Sequence, residues 1–332
     1  MRRLFLPLFS MLLAASPLSA RARAADHVTL LLNFYANGQH APFFYGREKG
    51  FFSKRGIDLQ IQEGRGSAGA VQATAAGTVT FGYADLPTMV TAAVAGAPVI
   101  AVGCVLRTSP MAVISLASHP VNTPAEMKGK ILAVSTGAAT YTVFPLFMKN
   151  AHLKMGDLGS VISGAPLVKL DALIDGRANM LLGFVTTQPM QIKAATGQTS
   201  VSMLYADHGV DLMDASIIVR PSLLKSNPDL VRRFLAATIE SMKATQADPA
   251  AAAAAILKSL PKAGKLSGML AGLKAALPLF YAKGEPDSPL LHISKADMAH
   301  TLQLMAQANL IPLSATKDPE RYYTDAYLPK GQ

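Results

Sequence analysis

Residues 57–85 read IDLQIQEGRGSAGAVQATAAGTVTFGYAD, and the fold turns on this stretch. Ile57, Leu59 and Ile61 alternate with Asp58 and Gln60, the two-residue period of a half-buried strand. Gly64-Arg65-Gly66-Ser67 breaks the period, and residues 68–76 continue as an Ala-rich helix. Gly77 ends that helix, and residues 79–83 open the next strand. Strand, glycine turn, helix, strand is the order of an α/β unit, with helices covering a largely parallel sheet.

The same order extends in both directions. Residues 28–32 form a short apolar strand, residues 33–39 interrupt it with Asn, Gly and aromatics, and residues 41–50 read as a helix. Downstream come a helix at 88–95, the turn Gly96-Ala97-Pro98 and a strand at 99–106. A second unit follows, with strands at 112–116, 131–135, 180–184 and 216–220. Its helices run from Thr136-Gly137-Ala138 to Met148, over 168–174 and over 189–196, and an amphipathic helix spans 228–245. The last third is helical, with residues 296–308 capped by Ser294 and Asp297. Residues 71–83, a helix, Gly77 and a strand leading to Ala84-Asp85, are echoed by residues 170–182, leading to Gly183-Phe184. Ligands collect beyond the carboxyl ends of strands in open α/β sheets, so two such units face to face would make a cleft. Chance likeness between two helix–strand units is the alternative.

The chain has 332 residues, a net charge of +10 and 50% hydrophobic residues, which excludes a disordered chain and allows two lobes with their own cores. Arg2 and Arg3, an apolar stretch over 4–15, Pro17 and then small residues to Ala25 read as a cleavable signal peptide over 1–25. Removing its four arginines lowers the charge from +10 to +6. The remaining basic residues are scattered, without interleaved aromatics, so no nucleic-acid partner is expected. The lone Cys104 lies in an apolar run and reads as a buried strand thiol. The destination expected is the periplasm.

No Gly-x-Ser-x-Gly elbow, His-Glu-x-x-His or Walker loop is present, and the seven histidines show no metal-ligand spacing. The expectation is a binding protein with no catalytic residue, cofactor or metal. Ser67 opens a helix whose free N–H groups suit a carbonyl or anion, or it serves only as an N-cap. Thr136, Gly137 and Thr140 repeat that arrangement. Phe34 or Tyr35 offers a stacking face for a flat heteroaromatic ring while Asn33 or His40 reads its polar edge; core packing of Phe34 is the alternative. Asp85, Phe184 and Gln188 stand at or beyond the two echoed strand ends.

Residues 33–43 (NFYANGQHAPF), Glu48-Lys49-Gly50-Phe51-Phe52, Gly56-Ile57-Asp58-Leu59, Gly66-Ser67, Phe81-Gly82-Tyr83-Ala84-Asp85, Gly96-Ala97-Pro98-Val99 and Ser109-Pro110 carry a resemblance. They resemble the family of periplasmic substrate-binding proteins related to thiamine-pyrimidine synthase, over about residues 28–240. The resemblance implies a type II periplasmic binding protein, with two α/β lobes joined by two crossing strands and C-terminal helices. By that analogy, lobe one is 26–116 plus 216–332 and lobe two is 117–215. It also implies delivery of a small heteroaromatic solute, a pyrimidine or thiamine precursor or riboflavin, to an ABC transporter permease in the inner membrane; a monomer is expected. Ligand positions carried over are Asn33, Phe34, His40, Ser67, Asp85, Thr140, Tyr141, Phe184 and Gln188. Aminopyrimidine-binding relatives tend to have glutamate where this chain has Gln188, which both donates and accepts and so suits a lactam edge as well. The chain has no tryptophan, the favoured stacking platform. The alternatives are an alkyl sulfonate- or taurine-type anion-binding protein, and a pyrimidine-precursor-forming enzyme.

Overall fold

The computed structural model describes residues 24–135 and 138–330, so nearly all of the leader expected over 1–25 lies outside the described residues. In chain order the strands are β1 (Asp26–Leu31), β2 (Ile57–Gln62), β3 (Phe81–Asp85), β4 (Ile100–Cys104), β5 (Met111–Leu116), β6 (Ile131–Val134), β7 (Ser160–Ser163), β8 (Met180–Phe184), β9 (Ser200–Leu204) and β10 (Ala215–Val219). The helices are α1 (Ala41–Glu48), α2 (Ser67–Ala76), α3 (Leu86–Val94), α4 (Ala139–Asn150), α5 (Pro166–Ile174), α6 (Gln188–Thr196), α7 (Pro221–Ser226), α8 (Pro228–Ala247), α9 (Pro249–Ser259), α10 (Leu266–Ala276) and α11 (Lys295–Gln307).

The strands form two five-stranded sheets, ordered β2-β1-β3-β10-β4 and β7-β6-β8-β5-β9. In each sheet the first three strands are parallel, and the fourth runs against both of its neighbours. The plan is the same twice, and β3 and β8, the two echoed strands, occupy equivalent places. The intruding strand of each sheet arrives from the other: β5 follows β4 and β10 follows β9. The chain therefore crosses between sheets over residues 105–110 and again over 205–214. A boundary after residue 116 would leave β5 with the first unit. Its ladders to β8 and β9 put it in the second sheet, because the crossing is complete by residue 110.

Alternating Val28 and Leu30 bury one face of β1, and the amphipathic stripe of α8 covers the same side of the sheet. There the Phe234 ring stacks on Phe81 at 3.9 Å. Asn227 caps α8 by accepting from the Leu230 N–H at 3.1 Å, and Ser294 caps α11 by accepting from the Asp297 N–H. Cys104 is buried at the end of β4, and desolvation pushes its thiol up to about 12, where it is no nucleophile.

The turn Gly38–His40 rests directly on the backbone of α10. A Cβ at Gly38 would lie 2.1 Å from the Leu273 nitrogen and 2.4 Å from the Met269 carbonyl oxygen. Gly38→Ala should therefore lower unfolding stability by about 1–3 kcal/mol in a urea titration, an overpacking cost with no flexible neighbour to relieve it. Gly69→Ala, on the exposed face of α2 with nothing within 4 Å, should be neutral or stabilise by a few tenths of a kcal/mol. Equal effects of the two substitutions would contradict this packing.

Candidate ligand-binding cleft

The crossings fix where the ligand edges of the sheets point. Asp85, the last residue of β3, pairs with Ala215, the first of β10. Phe184, the last residue of β8, pairs with Met111, the first of β5. Both crossings thus join their sheets at the carboxyl edges of the parallel strands, and those edges flank the cleft between the sheets.

On the first edge a chain of hydrogen bonds runs through four of the sequence-expected residues. The Asn37 N–H donates to His40 Nδ1 at 3.1 Å, which leaves the ring proton on Nε2 to donate to Asn33 Oδ1 at 3.0 Å. Asn33 Nδ2 donates to Asp85 Oδ1 at 3.1 Å, and the Asp85 N–H donates to Ser67 Oγ at 3.1 Å. His40 is fully buried, and desolvation lowers its imidazole to about 3, so it is a neutral donor throughout the physiological range. Ser67 is not an N-cap. It is the first residue of α2, and Gly66, at φ 133°, holds the cap position.

Sequence reasoning missed the far end of this chain. Asp214, on the second crossing, is buried against the Asp85 carboxyl. Desolvation raises both, and the neighbouring charge of Asp85 raises Asp214 further. Two carboxyls in contact and out of water hold a proton between them. Ser109 Oγ, on the first crossing, donates to Asp214 Oδ2 at 2.7 Å. No local pattern in Asp211-Leu212-Met213-Asp214 marks this residue, since its partners come from residues 85 and 109.

Phe34 and Tyr35 are 44% and 52% exposed, their rings edge to face with centroids 5.0 Å apart, so Phe34 is not a core residue. On the opposite edge, Phe184 and Tyr141 are half-buried and pack against the core. The Phe184 N–H donates to Gln188 Oε1 at 2.6 Å. That bond uses one of the two lone pairs of the Gln188 carbonyl oxygen, so the side chain keeps both a donor and an acceptor. Thr140 is buried within α4. Thr136 and Gly137 lie outside the described residues. Lys169, at the start of α5, was also missed; it is buried, with Nζ donating to the Leu182 carbonyl at 2.5 Å. Two pockets lie elsewhere, one of about 490 Å³ beside Thr108 and Tyr281 and one of about 660 Å³ beside His292 and Asp325. Neither includes any of the expected ligand residues. Among the described residues, no group of three or more His, Cys, Asp or Glu is placed to hold a metal ion.

The titrations have opposite signs. A lowered histidine stabilises the fold above its ordinary value of 6.5, and that contribution is lost as pH falls toward about 3. His40→Gln should therefore flatten the loss of thermal stability between pH 6.5 and 4. The raised Asp85–Asp214 pair acts the other way, its contribution being lost as pH rises above the ordinary 3.8. Asp214→Asn should gain stability over the natural protein from pH 4 to 8, the two converging at lower pH. Denaturant titrations across pH check both; parallel curves for variant and natural chain would refute the assignment.

The NMT1/THI5-like family model matches residues 37–252, more than half of the chain. The riboflavin-binding protein RibY of Chloroflexus aurantiacus is 24% identical, over 96% of this chain and 92% of its own. The 4-amino-5-hydroxymethyl-2-methylpyrimidine phosphate synthase of Legionella pneumophila is 26% identical, over 73% of this chain and 77% of its own. In fold, the chain is similar to the periplasmic aliphatic sulphonate binding protein SsuA of Escherichia coli, with a TM-score of 0.70, 13% identity, and 93% and 95% of the two chains covered. The doubled sheet plan and its two crossings are those of a type II periplasmic binding fold. With a family model spanning both sheets, the chain belongs to the NMT1/THI5-like family.

Proposed function

We propose that this chain is the periplasmic solute-binding component of an ABC importer, exported by its N-terminal leader and handing its cargo to a membrane permease. The observation that carries the reading is the pairing of two carboxyl edges across a double crossing, with exposed aromatics beside a hydrogen-bonded polar wall. Capture is closure of one lobe on the other about the crossings, a hinge motion. The lobes are 26–104 with 215–330, and 111–204, the crossings between them serving as the hinge. No bond chemistry is assigned. Cys104 is buried with a raised thiol, and His40 is held neutral with both ring nitrogens hydrogen-bonded.

The ligand class favoured by the first edge is a small heteroaromatic solute, a pyrimidine or flavin. Phe34 and Tyr35 supply faces, and Asn33 and Asp85 supply the polar edge. The names of the sequence relatives, riboflavin-binding and pyrimidine-forming, support this class. A second reading, an alkyl sulfonate, is supported by helices α2 and α4, whose cap positions Gly66 and Ala138 give no side-chain cap and leave N–H groups for an anion. The likeness in fold to SsuA accords with it.

Calorimetry on the chain from residue 26 decides between them, with riboflavin, 4-amino-5-hydroxymethyl-2-methylpyrimidine and methanesulfonate as ligands. The heteroaromatic reading expects binding of a ring compound, weakened roughly two- to tenfold in Phe34→Ala, the value of one aromatic contact. Binding of methanesulfonate alone, unchanged in Phe34→Ala, would establish the second reading. Turnover of any of the three would overturn the assignment as a binding protein.

A further inference from the structure

Lys169 occupies an unusual place for a lysine. It lies in the first turn of α5, 6% exposed, with Nζ on the Leu182 carbonyl of β8. No carboxylate pairs with it among the described residues. One carbonyl satisfies one of its three donors and none of its charge, and a buried charge without a counter-ion is costly. Desolvation alone lowers this ammonium to about 8, with no opposing charge to raise it.

The surroundings point to what supplies the missing charge. Leu182 stands two residues before the end of β8, and parallel β6 lies beside it with Ala133 opposite Leu181. Continuing that register sets Ser135 beside Gly183, the residue after the carbonyl that Lys169 holds, so both residues stand at the carboxyl edge of the sheet. Ser135 is buried, and its Oγ has no hydrogen-bond partner among the described residues. Helix α4 begins at the same edge without a side-chain cap. A buried cation, an unpartnered hydroxyl and open helix N–H groups thus stand at one sheet edge, from three separate elements.

We infer that the carboxyl edge of the second sheet seats an oxyanion of the captured solute, a carboxylate, sulfonate or phosphate, against Lys169, Ser135 and the start of α4. This rests on the reading of the cleft as the ligand site, and it deepens it. The cargo is two-ended, with a planar body against Phe34 and Tyr35 on one edge and an acid on the other. Leu167 and Val168, exposed on the first turn of α5, form an apolar lip beside the acid.

The test uses matched pairs, benzenesulfonate against benzenesulfonamide and benzoate against benzamide, with inorganic sulfate as the smallest probe. Thermal shift and calorimetry are run at ionic strength fixed with chloride, on the natural chain and on K169M, K169R, S135A and F34A. Sulfate should stabilise the natural chain above chloride, and each acid should bind at least roughly tenfold tighter than its neutral partner, the scale of a charged hydrogen bond. K169M should close that gap, K169R should keep most of it, and S135A should narrow it. Failure of all the anions to stabilise the natural chain, or a gap that survives in K169M, overturns the inference. A gap that depends on Lys169 but not on Phe34 keeps the oxyanion seat and sinks the aromatic wall. Neutral probes that depend on Phe34, with no gap between partners, do the reverse.

Discussion

The proton held between Asp85 and Asp214 is the constraint on which the cleft depends. Asp85 ends the third strand of one sheet, Asp214 sits on the second crossing, and Ser109 ties the first crossing to the same carboxyl. A pair of bare carboxylates there would push the second crossing away from the end of β3. A shared proton turns the repulsion into a joint, and the joint continues through Asn33 to His40. Each member is fixed by the next, so the polar wall facing the cleft is built before any ligand arrives. Such preorganisation lowers the ordering cost of binding.

The two edges differ in chemistry. The first is aromatic at its rim and hydrogen-bonding behind, and its histidine carries no charge. The second carries a buried cation and an unpartnered hydroxyl. In the proposed reading a solute bridging them would touch both lobes, and only the closed arrangement would satisfy all of its groups. This is the physical content of capture by closure, since the ligand favours the closed state by its contacts with both edges.

Much of the first edge was legible in the sequence. Asn33, His40, Ser67 and Asp85 come together because strands β1, β2 and β3 are adjacent and parallel, and the sequence marks them by an apolar run at 28–32, alternation at 57–61 and a strand opening after Gly77. Strands β7 and β9 were not anticipated. Both are sheet-edge strands of four or five residues bearing two serines each, too short and too polar to stand out from a loop. Asp214 and Lys169 were invisible for another reason. Each looks like an ordinary surface residue until the fold buries it, and burial is set by segments more than ten residues away. The placement of β5 failed because an apolar strand reads the same in either sheet, and only its ladder partners decide.

The antiparallel fourth strand has a consequence for how the chain comes to exist. Strands β3 and β4 do not touch; β10 fills the slot between them. Until residues 215–219 are available, the first sheet has a gap one strand wide, bordered by two unpaired edges, although its other four strands were complete by residue 104. The amino-terminal half therefore cannot close early into a finished domain during synthesis. For a chain proposed to be exported by its leader, this built-in delay keeps it pliable until most of its length has been made.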